Sequence, residues 1–314
     1  MELAVKEEII NAPQFIEANT QAIDLVEIKE QHIIPVFTKD NKEIISHYDF
    51  VSGTAEVVQN FYGGSGINPP QIRMSHPIKG RVPSARNKAA KDLLDNEKTL
   101  YFERLAFIIE VPSIYETIDG KAMTLVVGGV RALNETNLYG YKGNPEKFKL
   151  FVGFRVKVCC NLSIWTDGYT DEVKVSSMEG LQAKLLHLIE NFNAVQQVKL
   201  MQNLCNTFIT ERQFALILGR GKLYPFLPKR FRNDVVPITL GDSQLTTIAK
   251  AYYKDVHFAP TNQTISLWNM YNLFTGAVKS NYIDTFASRN VGCSSFITAL
   301  QHSLEHSSSF WYLD

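Results

Sequence analysis

Three stretches of this 314-residue chain set cations among rings or glycines, the residue types that contact a nucleic-acid strand. The first holds Arg73, Lys79, Arg81, Arg86, Lys88 and Lys91 with no acid until Asp92. Such a run can neutralise phosphates, and it is equally what a loop facing only water carries. The second runs from Phe148 to Cys159 and alternates strictly. A strand sends alternate side chains to opposite faces, so Phe148, Leu150, Val152, Phe154, Val156 and Val158 form an apolar face. Lys149, Phe151, Gly153, Arg155, Lys157 and Cys159 form the other. That face has the composition of a sheet surface that accepts a strand by charge and stacking, and also of a wet sheet face with lysines for solubility. The third stretch places Arg220, Lys222, Lys229, Arg230 and Arg232 among Tyr224, Phe226 and Phe231, again cations between rings. The nucleic-acid contact set expected from the three is Arg73, Lys79, Arg81, Arg86, Lys88, Lys149, Phe151, Arg155, Lys157, Arg220, Lys222 and Arg230.

Catalytic chemistry has less support. His302 and His306 lie four apart on an expected helix, which puts two imidazoles on one face, but Ser303 stands where a zinc protease carries Glu. Asp167, Glu172 and Lys174 are the residue types of a metal-dependent nuclease, at a spacing short for that arrangement. Ser75 and His76 are adjacent, and neighbours on a strand point apart, so they make poor partners as nucleophile and base. Gly63, Gly64, Ser65 and Gly66 invite a phosphate-loop reading, which fails because no strand feeds them and Pro69 and Pro70 follow where a helix should start. Gly219 to Lys222 fails as a Walker motif, since Leu216 and Leu223 occupy its defining positions. No catalytic residue, metal or cofactor is assigned.

The elements that must hold these cations divide the chain in two. Residues 23–177 read as β-rich with a basic loop and residues 178–314 as helical, after an acidic, partly mobile arm over 1–22; the two larger parts also fit one continuous domain. Expected strands run over Ile33–Lys39 and Glu43–Phe50, joined at Asp40, Asn41 and Lys42, then over Tyr101–Val111, Ser113–Ile118, Ala122–Val130, Phe148–Cys159 and Asp171–Val175. Asp119 and Gly120 supply the tight turn between two of them. Helices are expected at Asp49–Tyr62, near Arg86–Leu94, after a Ser176 and Glu179 capping box, after a second box at Thr210 and Gln213, from Asp242 through Tyr253, and over Thr264–Tyr282 and Val291–His306. The fold class is therefore α+β, with an antiparallel meander of about five strands in the N-terminal half and a mostly helical C-terminal half. The closing Phe310, Trp311, Tyr312 and Leu313 must dock against something.

Bulk properties narrow the class. With 45% apolar and 20% charged residues, the chain has enough apolar surface for a core and is neither disordered nor fibrous. No apolar run reaches the roughly 18–20 residues that cross a bilayer, and the start MELAVKEEII is acidic where a signal peptide is basic. Cys159 and Cys160 are adjacent, Cys205 and Cys293 stand alone, and no CxxC pair occurs, so a cytoplasmic protein with reduced thiols is expected. The net charge of zero is unevenly placed: residues 1–60 carry four lysines against eleven acids. That segment either screens a basic body or is an ordinary soluble surface.

The segments HIIPVFTKDNKEIISHYDF, IRMSHPIKGRVPSA, EKTLYFERLAFIIEVP, VGGVRALNETNLY, KFKLFVGFRVKVCCNLSIWTDG and TISLWNMYNLFTGAVKSNYID together resemble an uncharacterised family carried on phage-like, plasmid-like and conjugative elements of Bacteroides-type bacteria. The resemblance covers almost the whole chain from residue 32. Arg155, Cys159 and Asn161, with Trp268, Tyr271 and Asn272, also resemble a broader phage and plasmid family of unknown function, although Leu162 stands where that family tends to have glycine. Neither brings a catalytic residue or cofactor; what the resemblance implies is a setting in mobile DNA. The function expected is non-enzymatic binding of single-stranded DNA or RNA, for annealing or protection, with no membrane partner. The alternatives are an interaction factor for a host or element-encoded defence or replication protein and, third, a metal-dependent nuclease.

Overall fold

In a computed structural model, which describes residues 14–31, 45–63, 66–135, 145–260 and 262–314, the strands of longest apolar alternation form the centre of one antiparallel sheet. Strands β1 (Gln21–Ile23), β2 (Gln71–Met74), β5 (Arg104–Ile118), β6 (Lys121–Ala132), β7 (Glu146–Val156) and β8 (Leu162–Val175) lie in the order β1-β2-β5-β6-β7-β8. The fold is α+β with six strands rather than about five, and β5 to β8 are the expected meander. The excursion between β2 and β5 is a separate ribbon, β3 (Pro77–Arg81) paired with β4 (Lys98–Phe102).

The expected strand Tyr101–Val111 breaks at Glu103, with Tyr101 and Phe102 in β4, and its remainder merges with the expected strand Ser113–Ile118 into β5. Its pairing with β6 jumps from Val111 to Tyr115, and Pro112, which has no N–H for the ladder, sits in that irregularity as a strand proline should. The turn to β6 uses Asp119 and Gly120 at positive φ, as a tight hairpin requires.

Helices follow as α1 (Leu25–Gln31), α2 (His47–Tyr62), α3 (Met178–Asn191), α4 (Ala194–Asn206), α5 (Glu211–Leu223), the single turn α6 (Lys229–Arg232), α7 (Asp242–Lys254), α8 (Leu267–Val278) and α9 (Phe286–His306), with a small pair β9 (Phe208–Thr210) and β10 (Thr264–Ser266) between them. Thr210 and Gln213 form the expected capping box of α5, and Ser177 rather than Ser176 caps α3.

The expected strand Glu43–Phe50 is overturned over residues 47–50, which open α2. The Ser46 hydroxyl accepts from the Asp49 amide at 3.0 Å and Asp49 Oδ2 accepts from the Ser46 amide at 3.2 Å, a reciprocal cap stronger than so short an alternation. The expected strand Ile33–Lys39 and its turn lie outside the described residues. Residues 14–20 of the expected arm are docked, with Phe15 and Ile16 buried. The helix expected near Arg86–Leu94 is instead a set of short turns, Pro83–Ala85, Ala90–Asp92 and Asp95–Glu97. Ala89, ahead of the middle one, has no side chain with which to cap a helix.

Both faces of the sheet are covered. Phe50 of α2 meets Phe107 of β5 at 5.0 Å and Phe148 of β7 at 4.8 Å between ring centroids on one side. Phe286 of α9 meets Phe151 of β7 at 5.8 Å on the other, with Phe15 against it. Phe310 and Tyr312 dock on Phe296, and the Tyr312 hydroxyl donates to the Val236 carbonyl at 2.8 Å. Arg131 and Glu146 form a buried ion pair at 2.8 Å, and the guanidinium also reaches the Ile45 carbonyl and the Phe148 ring. Burial lowers the Arg131 pKa, and Glu146 opposes that shift.

Removing one partner of a buried pair strands the other charge, which typically costs about 3–5 kcal/mol, whereas replacing both by apolar groups is often neutral. Arg131→Met should therefore lower unfolding stability in urea by about that amount, and adding Glu146→Leu should recover much of it. A single substitution costing under about 1 kcal/mol would contradict this role.

Candidate nucleic-acid interface

The odd-numbered face of β7 is core and ion-pair network, not a wet wall. Phe151 is 0% exposed, so its ring cannot stack on a base. Lys149, its side chain 14% exposed, donates to the Asp284 carbonyl at 2.7 Å and meets Glu135 at 3.1 Å. Arg155, 13% exposed, donates to Cys160 Sγ and lies 3.7 Å from Glu110. Lys157 lies beyond the strand end, half-exposed and 3.3 Å from the other Glu110 oxygen. Val158, assigned to the apolar face, is exposed because the strand stops at Val156. The parity of β7 is thus correct, but both faces are occupied, and a platform built on Lys149, Phe151 and Arg155 is ruled out by burial.

Glu110 of β5 is the residue that sequence reasoning missed. It accepts from Thr124 Oγ1 and, at 2.9 Å, from Asn68 Nδ2. Burial pushes its carboxyl pKa up, but those hydrogen bonds and the charges of Lys157 and Arg155 outweigh burial and leave it lowered. A lone acid in the apolar run FIIEVP was the available signal.

The basic ribbon remains at the surface. Lys79 on β3 and Arg86 in the loop are exposed and form no ion pair among the described residues. Lys88 is held by Glu97, and Arg81 donates to the Lys88 carbonyl. Arg73 serves the fold: its Nε and Nη2 donate to Thr20 Oγ1 at 2.9 Å and Thr20 O at 2.7 Å, and burial lowers its pKa.

The third cluster keeps two of its three rings in solvent, while Tyr224 packs against the core beside Tyr312. Phe226 is 83% and Phe231 50% exposed, on either side of the exposed Lys229 and Arg230. Pro225 and Pro228 confine the chain to a short turn, Tyr224–Phe226, and then to α6. The Arg230 guanidinium lies 4.6 Å from the Phe231 ring centroid, and Arg232 braces the turn by donating to the Pro225 and Leu227 carbonyls. Lys222, half-exposed, pairs with Asp242 at 3.1 Å. Arg220 is structural, donating to the Trp311 carbonyl and lying over its ring. Arg212, Leu216 and Leu223 extend the exposed face along α5. Leu216 was legible as outward-facing, since it falls off the buried stripe of Phe214, Ile217 and Leu218.

The candidate catalytic residues each have partners of their own. Asp167 accepts from Gln197 at 2.5 Å, while Glu172 sits between Lys147 at 2.7 Å and Lys174 at 2.8 Å. Hydrogen bonds from these two lysines bring the Glu172 pKa down to about 2. His302 and His306 stack at 4.2 Å, and no group of three or more His, Cys, Asp or Glu among the described residues is placed to hold a metal ion. No helix among them is long and apolar enough to cross a membrane.

A carboxylate whose pKa is lower folded than unfolded adds stability above its unfolded value, near 4.3, and loses it as pH falls through the folded value. Glu110→Gln should therefore be less stable than the parent at pH 7, with the gap narrowing below about pH 4 in thermal unfolding. A gap independent of pH would show that shape, not charge, makes Glu110 matter.

No curated protein and no solved structure matches the chain. Residues 4–313 match the family described as "Domain of unknown function, B. Theta Gene description", DUF3871, and with nearly the whole length aligned the chain belongs to this uncharacterised family.

Proposed function

We propose that this protein is a non-enzymatic, cytoplasmic factor of mobile genetic elements that binds single-stranded nucleic acid, for annealing or protection. The mobile-element setting rests on the sequence resemblance. The contact proposed is the turn from Tyr224 to Arg232, with Lys79 and Arg86 of the basic ribbon as a second one. The observation that carries the reading is Phe226, 83% exposed beside Lys229 and Arg230. A phenylalanine left in water forfeits burial that would otherwise stabilise the fold, and rings interleaved with cations match successive bases and phosphates.

A second reading has its own observation. Leu216 and Leu223, exposed beside Arg212, line a shallow groove on α5, which fits the apolar face of an acidic amphipathic helix in a partner protein. Association that survives nuclease digestion and is lost in Leu223→Asp would support this reading over the first. Cleavage of DNA in magnesium or manganese would overturn the non-enzymatic part of both.

Fluorescence anisotropy with a labelled single-stranded oligonucleotide tests the first reading. Binding should weaken linearly on a log–log salt plot as counterions are released. Phe226→Ala should cost about 1–3 kcal/mol of affinity, the usual loss for one stacked base, with the thermal midpoint unchanged. Arg230→Glu should weaken binding further. No binding at low salt, or binding indifferent to both substitutions, removes the proposal.

A further inference from the structure

The last turn of α9 sets two imidazoles side by side. His302 and His306 are both exposed, and their rings stack at 4.2 Å between centroids with 21° between planes. Residues four apart on a helix share a face, so the two rings rise together from one surface. His306 Nδ1 lies 2.9 Å from the His302 carbonyl oxygen. A carbonyl only accepts, so Nδ1 carries the proton and the neutral ring keeps its lone pair on Nε2. A ring nitrogen that donates to a backbone carbonyl is the arrangement that orients metal-ligating histidines.

The helix end favours a cation at this place. Ser307, at positive φ, closes α9 by donating its amide to the Ser303 carbonyl, and the Ser308 amide reaches the same oxygen at 3.0 Å. That cap fixes the last turn, and the carbonyl end of a 21-residue helix is the negative pole of its dipole. Glu305 on the same turn adds negative charge while its Oε1 accepts from Gln301 at 2.8 Å. No third His, Cys, Asp or Glu among the described residues completes the group, so the protein ligands are the two imidazoles alone.

Two nitrogens bound to one tetrahedral ion at about 2.0–2.1 Å stand about 3.4 Å apart. Rings stacked at 4.2 Å reach that spacing by tilting toward each other, a small torsional change for exposed side chains. His302 also lines a cavity of about 730 Å³ beside Thr166, Asp167 and Gln196, so the remaining coordination positions border open space. Imidazole suits zinc, nickel and copper, whereas magnesium prefers oxygen ligands. We propose that His302 and His306 bind one divalent transition-metal ion of the zinc, nickel and copper class, with water completing its coordination at the rim of this cavity. The site is independent of the Tyr224–Arg232 turn and of nucleic-acid binding there.

The test is calorimetric titration of the full chain with the chlorides of zinc, nickel, copper and magnesium. A saturable one-to-one response is expected to zinc and nickel, a tighter one to copper and none to magnesium. His302→Ala and His306→Ala, both at exposed positions, should each weaken zinc binding about tenfold or more, at least the loss that follows removal of a group supporting a ligand, with circular dichroism unchanged. In the parent chain, zinc should also slow carbethoxylation of both rings by diethyl pyrocarbonate while the exposed His187 reacts as before. No saturable response to zinc, nickel or copper, an equal response to magnesium, binding unchanged in both variants, or no protection of the two rings overturns the proposal.

Discussion

Phe286 stands edge-on against Phe151, with Phe15 beside it, and this contact makes the second face of the sheet core rather than solvent. Once that face is covered, its cations must be neutralised where they lie. Unpaired charge in a low-dielectric interior is far more costly than a surface ion pair is stabilising. Glu110 between Arg155 and Lys157, and Glu135 with the Asp284 carbonyl around Lys149, meet that requirement. The first face has its own version in Arg131 and Glu146, on the opposite side of the same strands.

Exposed cations and rings of the three basic stretches lie on excursions from the sheet: Lys79, Arg86, Phe226, Lys229, Arg230 and Phe231. The β3–β4 ribbon leaves between β2 and β5, and the Tyr224–Arg232 turn leaves between α5 and α7. Prolines interrupt both, Pro77 and Pro83 in the first and Pro225 and Pro228 in the second, and a proline cannot donate to a ladder or a helix interior. On β5 to β7 the buried cations are neutralised where they lie, while Lys79, Arg86, Lys229 and Arg230 on the excursions stay exposed.

How much was legible in the sequence follows from the same distinction. Strict alternation over Phe148–Val156 gave the strand and its two side-chain sets, and the boxes at Thr210 and Gln213 gave a helix start to the residue. Alternation says which side chains share a face and nothing about what covers it. That Phe151 is core depends on Phe286, 135 positions away in the chain, and no local pattern encodes the contact. The same limit hid Arg220, whose partner is Trp311, and Arg73, whose partner is Thr20. Short apolar runs failed for a different reason: at Glu43–Phe50 a side-chain cap outweighed a weak alternation. Helix α4 escaped notice because its buried face is narrow, with Gln197 standing among Met201 and Leu204.

Hydrogen–deuterium exchange of the full chain, with and without a single-stranded oligonucleotide at low salt, reads the site of contact directly. Protection is expected over residues 223–232 and in the ribbon around Lys79 and Arg86, with exchange over 149–157 unchanged because that strand is already enclosed. Protection appearing on 149–157 while the 223–232 turn stays unaltered, or no change anywhere at an oligonucleotide excess, would contradict the placement of a strand-binding surface on the excursions from the sheet.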